Sequence, residues 1–128
     1  GVGRCGKLNK SMTVLELAKH VKEVFSIDEV RIVGDVDKVV NIAAISTGSG
    51  EDYIDPAIRL HADVIVTGDI RHHKALDAIE KDMCVIDAGH YGTEHFMTEW
   101  LKAYFDRTIK EESIKVFTAK EESPFRIL

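Results

Sequence analysis

His90 and Glu94 lie four residues apart in the run Asp87-Ala88-Gly89-His90-Tyr91-Gly92-Thr93-Glu94-His95, which follows a short apolar segment. On a helix, residues i and i+4 share a face, with Cβ atoms about 6 Å apart. An imidazole and a carboxylate at that separation can hold one divalent cation, or each can bind one of two neighbouring cations. Gly89 and Gly92 allow close backbone approach. The same spacing also fits a histidine at a helix start beside a solvated glutamate. The inverted zinc-protease pattern H-x-x-E-H is absent, and His95 would face elsewhere on the helix.

Two other polar runs offer chemistry. Thr67-Gly68-Asp69-Ile70-Arg71-His72-His73 holds a carboxylate and two imidazoles. Adjacent histidines on a helix diverge by about 100°, so at most one shares a pocket with Asp69. A neutral imidazole there can act as acid or base near pH 7; equally, Asp69 can cap a helix with both histidines solvated. Ser46-Thr47-Gly48-Ser49-Gly50-Glu51 is rich in glycine and serine. Its N–H groups could hold a phosphate or carboxylate, or the run is a flexible strand-to-helix turn. It lacks the G-K-[ST] ending of a phosphate-binding P-loop. Gly1 to Gly6 has the spacing G-x-G-x-x-G, but no strand precedes it and no helix follows, so it is not read as a dinucleotide site.

The elements that must carry these runs are legible from periodicity. Thr13 and Glu16 form a capping box for a helix over 13–25, with Val14, Leu17, Val21, Val24 and Phe25 at helical spacing. Apolar strands are expected at Val30–Val33, Val39–Ile45, Asp63–Thr67, Met83–Ile86 and Ile114–Thr118, and helices at Asp52–Leu60, Ile70–Lys81 and His90–Phe105. In the last helix Phe96, Met97, Trp100, Leu101, Tyr104 and Phe105 read as a core face. From Val39 onward strands and helices alternate. That order predicts one α/β domain over 1–128, with a largely parallel or mixed central sheet flanked by helices. In such a sheet ligands bind beyond the carboxyl ends of the strands. If the strands are parallel neighbours, the three polar runs meet at one edge.

Composition narrows the function classes. The 128 residues carry a net charge of −5, which argues against broad electrostatic binding of nucleic acid. No stretch approaches the ~20 apolar residues of a membrane span. Cys5 and Cys84 are far apart and make no disulfide framework, so both are read as reduced thiols in a cytoplasmic protein. The opening has no initiator Met and no signal-peptide pattern, and is read as belonging to a piece of a longer chain or to a processed one.

Two segments together resemble a known family. Ala62 to Ala78 (ADVIVTGDIRHHKALDA) and Val85 to Glu94 (VIDAGHYGTE) are similar to paired segments of the YbgI-like proteins, also labelled GTP cyclohydrolase type-2 homologs. The opening Gly1 to Leu8 and the closing Ser123-Pro124-Phe125 also fit that pattern. The resemblance implies the C-terminal half of a longer protein, a toroidal homo-oligomer, and a two-metal site per subunit. It places metal-ligand roles on His90 and Glu94 and a pocket role on His73. It implies further ligands, a His-His pair and an Asp, in an N-terminal half that nothing here matches; His72-His73 belongs to a different segment. The expected function is part of a dinuclear-metal hydrolase using Zn, Mn, Fe or Mg on a small phosphoester or nucleotide-derived substrate, with Asp69 or His73 handling protons. Such a chain is expected to be inactive alone. The alternative is an oligomeric metal-binding or regulatory scaffold without catalysis.

Overall fold

The computed structural model describes residues 2–111 and 113–126. The chain forms two compact units, Gly1–Thr93 and Glu94–Leu128. The first contains strands β1 (Arg4–Thr13), β2 (Arg31–Val33), β3 (Val39–Ser49), β4 (Val64–Gly68) and β5 (Cys84–Asp87). Helices α1 (Val14–Phe25), α2 (Ile54–Arg59) and α3 (His72–Glu80) lie between them, with a 3₁₀ turn at Glu51–Tyr53. A short helix α4 (His90–Glu94) leads into the second unit, which carries α5 (Phe96–Thr108).

The sheet is mixed, in the order β1-β3-β4-β5-β2. The central strands β3, β4 and β5 are parallel neighbours. β1 and β2 close the two edges antiparallel. The expected α/β class therefore holds. Side-chain alternation sorts the core into two layers. Val64 and Val66 of β4 and Cys84 and Ile86 of β5 pack with Val14, Leu17, Ala18 and Val21 of α1. The intervening Ile65 and Val85 face the other way, with Ile54 and Ala57 of α2 and Ala78 of α3. Strands buried on both faces read as continuous apolar runs, which is why they were legible.

α1 begins where its capping box places it. The Glu16 N–H donates to Thr13 Oγ1 at 3.1 Å, and the Thr13 N–H donates to Glu16 Oε2 at 2.8 Å. That backbone bond to Thr13 holds the Glu16 carboxyl below its ordinary range.

Several expectations are corrected. Arg4–Thr13 forms a strand, β1, whose periodicity is hidden by its charged residues and by a bulge; between Lys7 and Met12 it advances five residues while the paired position on β3 moves only from Ile42 to Val40. Edge strands read poorly because one side is free of pairing demands and favours charge. The helix expected over His90–Phe105 is interrupted at His95 and runs on to Thr108. Ile114–Thr118 is not a strand: it joins no sheet among the described residues, and an apolar run with no ladder partner has no reason to be extended as one. The aromatic face of the last helix is not core, since α5 buries none of its residues. On α3, Leu76 and Ile79 are likewise exposed, and Ala75 and Ala78 make the packing face. Both cysteines are free, and Cys84 is buried in β5. No helix among the described residues is long and apolar enough to cross a membrane.

Thr13→Ala removes one half of the capping box. It is expected to lower stability by about 1 kcal/mol in urea unfolding, with an unchanged denaturant slope.

Candidate functional site

The parallel register sets the ends of three strands side by side, pairing Ile45 with Val66 and Thr67 with Asp87. The loops that follow meet at this edge, as the alternation of elements predicts. Their organiser is Asp87, a carboxylate at the end of β5 that is almost wholly buried. Its Oδ1 accepts the N–H groups of Asp69 (3.1 Å) and Gly89 (3.0 Å). Its Oδ2 accepts the Ile70 N–H at 3.0 Å and a short ion pair from the Arg31 guanidinium. Arg31 is the register partner of Asp87 across β2 and β5, and its Nη2 also donates to the Ile70 carbonyl at 3.2 Å. One side chain thus binds the loop after β4, the loop after β5 and the edge strand β2.

Two backbone conditions bring these loops into contact. Asp69 and Gly89 both adopt left-handed conformations, with φ of 56° and 71°. A Cβ on Gly68 would lie 2.5 Å from the Gly89 carbonyl carbon, so only glycine permits the two backbones to pass. Across this junction Asp69 Oδ2 meets His90 Nδ1 at 3.2 Å, with both side chains about half exposed. Thr93 pins the base of α4: its hydroxyl lies 3.1 Å from the Gly89 carbonyl and accepts the Gly48 N–H at 2.8 Å.

The first loop is used internally. The Gly48 N–H goes to Thr93, and the Gly50 N–H donates to the Gly68 carbonyl at 3.3 Å. Glu51 is buried and forms a two-pronged pair with Arg71, whose Nε donates at 3.0 Å. Arg71 holds the Glu51 carboxyl below its ordinary range, and Glu51 in turn raises Arg71. Ser46 Oγ and Thr67 Oγ1 are buried beside Gly50 with no hydrogen-bond partner among the described residues.

Of the residues singled out from sequence, Asp69 and His90 are brought together. His73 sits exposed on the first turn of α3, its ring edge-on to His72 at 5.7 Å between centroids. Glu94 is the last residue of α4 and the first of the second unit. Among the described residues no three His, Cys, Asp or Glu side chains come together so as to hold a metal ion. Sequence reasoning missed Asp87, Arg31, Glu51 and Arg71 as site builders. The available signal was Asp87 itself, an aspartate closing an apolar strand, where unpaired charge is rarely buried.

Asp87→Ala leaves three N–H groups without their acceptor, that of Ile70 buried, and strips the Arg31 guanidinium of its partner. It is expected to cost about 3 kcal/mol or more in urea unfolding, and Asp87→Asn, which keeps a carbonyl oxygen, distinctly less. The Glu51–Arg71 pair carries a pH signature. Because the folded state depresses the Glu51 carboxyl, its stabilisation is present above the ordinary carboxylate range and is lost as pH falls through the lowered value. The difference in stability between the parent and Glu51→Gln should therefore shrink as unfolding is measured at successively more acid pH.

Comparison with known proteins places this arrangement. The family model for Duf34/NIF3 (NGG1p interacting factor 3) matches residues 1–124. A Clostridium acetobutylicum protein named GTP cyclohydrolase 1 type 2 homolog is 44% identical over 94 residues, covering 73% of this chain and 35% of the relative. The solved Staphylococcus aureus protein SA1388 aligns with a TM-score of 0.88 and 34% identity, covering all of this chain and 42% of that one. The solved protein ybgI aligns with a TM-score of 0.75 and 27% identity over 83% of this chain and 43% of that one. This chain thus spans about a third of the curated relative's length and less than half of either solved chain. Sequence and fold agree: the chain belongs to the Duf34/NIF3 family.

Proposed function

We propose that this chain supplies one side of a divalent-metal site for hydrolysis, with His90 and Glu94 as ligands and the remaining ligands coming from outside the chain. The observation that supports this reading is the Asp69–His90 pair. A carboxylate on Nδ1 fixes the ring and its tautomer, as an orienting acid does for a ligating histidine. Asp69 then acts by holding His90, which leaves His73 as the group for proton transfer. Bound divalent ions would supply Lewis acidity and make water acidic enough to attack near neutral pH. The name of the Clostridium relative, a GTP cyclohydrolase homolog, favours a nucleotide-derived or phosphoester substrate. A second reading, a metal-binding or regulatory scaffold without catalysis, is favoured by the absence of three converging ligands among the described residues.

Calorimetric titration with zinc or manganese separates these readings. The chain alone is expected to bind weakly, above the micromolar range, and not to hydrolyse a generic phosphodiester. His90→Ala should abolish binding, and Asp69→Asn should weaken it by about 10–100-fold. Binding that survives His90→Ala would remove His90 from the site. Hydrolysis by the isolated chain would show that the site needs no outside ligands.

A further inference from the structure

The short helix α4 has an open side and a seated side. At about 100° per residue, His90 and Glu94 fall within about 40° of each other, Gly92 lies opposite them, and Thr93 lies about 80° round from the pair. Burial follows this division. Gly92 and Thr93 are buried, and the His90 side chain is half exposed. Two contacts make the seat. A Cβ on Gly92 would lie 3.3 Å from Ile27 Cγ2, in the loop after α1. The Thr93 hydroxyl accepts the Gly48 N–H at 2.8 Å. It donates its single proton back into α4, where the Gly89 and His90 carbonyls lie at 3.1 and 3.0 Å. A helix this short has too few internal hydrogen bonds to hold itself, so its seat must fix its rotation.

The N–H that Thr93 accepts comes from a break in the sheet. Between Ile45 and Ser49 β3 takes four steps while β4 takes two, from Val66 to Gly68. The extra residues form a bulge, in which Gly48 is buried with φ of 67°. A buried N–H needs an acceptor, and Thr93 supplies it from 45 residues away. A threonine that only bonds back to its own helix engages no such outside group. We propose that Thr93 is a positioning residue for His90: its clamped hydroxyl fixes the rotation of α4, and thereby the meeting of His90 Nδ1 with Asp69 Oδ2. His90 is then held from two directions, through its backbone by Thr93 and through its ring by Asp69 at 3.2 Å. A slip of about 1 Å is enough to lose a contact of that length. The loop after β3 thus acts on the site through Thr93. The consequence for metal affinity rests on the proposed ligand role of His90; the effect on its ring does not.

Ring-nitrogen NMR of His90 at about pH 8, where an ordinary imidazole is neutral, reads the orientation directly. The parent is expected to show the Nδ1–H tautomer that Asp69 selects. Thr93→Val, close in shape but without the hydroxyl, should move the ring toward a mixture of tautomers and weaken zinc binding about tenfold or more. Thr93→Ser, which keeps the hydroxyl, should restore both. Urea unfolding is the control, since a merely structural threonine would change stability and leave the ring spectrum unmoved. Should Thr93→Val fail to fold by circular dichroism, Gly48→Ala attacks the same bond from β3: a Cβ at this positive φ displaces the N–H, and the same ring shift is expected. A ring that keeps the parent tautomer in the variant that folds overturns the proposal. So does a Thr93→Ser ring that shifts as far as that of Thr93→Val. A parent that binds no zinc, with a ring that still responds to Thr93→Val, supports the positioning role and overturns the metal role of His90.

Discussion

A buried carboxylate is costly unless every lone pair finds a donor, and the first unit is arranged around one such group. Asp87 takes three backbone N–H groups and a guanidinium, drawn from the loop after β4, the loop after β5 and the edge strand β2. Satisfying Asp87 fixes their mutual positions, and the approach of Asp69 to His90 follows from that arrangement. The chemistry-bearing pair is half exposed, while the group that positions it is buried. That is the ordinary division between a reactive rim and a rigid support.

Close backbone approach is the second constraint. At Gly68 a side chain would strike the backbone at Gly89 and His90, and at Gly50 it would strike Thr67. These contacts leave no room for the loops to drift apart and repack. The loop after β3 shows what this means for binding. From its sequence it reads as a cradle for an anion, with glycine N–H groups on offer. Two of those groups are already engaged, by Thr93 and by the Gly68 carbonyl, so the loop serves to brace the site.

The second unit shows where periodicity stops being informative. The spacing of Phe96, Met97, Trp100, Leu101, Tyr104 and Phe105 identifies an apolar helix face correctly. It does not say what lies opposite, because amphipathicity is a property of one helix and burial a property of two surfaces. The same limit applies to Ile114–Thr118, whose apolar alternation is compatible with a strand but meets no ladder. Length comparison gives the context, since the chain spans less than half of the solved S. aureus relative.

Local and near-local physics was therefore readable in advance. The capping box of α1, the doubly buried strands β4 and β5, the α/β class and the convergence of three polar loops all follow from residue type and spacing. Each depends on contacts within a few residues or on a simple topological rule. The paired segments around Asp69 and Gly89 were legible too, as a family likeness. Tertiary structure alone decided that Asp69 reaches His90 while His73 stays on the exposed turn of α3, that Asp87 and Arg31 organise the edge, and that the stripe on α5 is open. Those outcomes depend on which strands are neighbours and on what register, and a linear spacing carries no information about a carboxylate 18 residues away accepting a particular N–H.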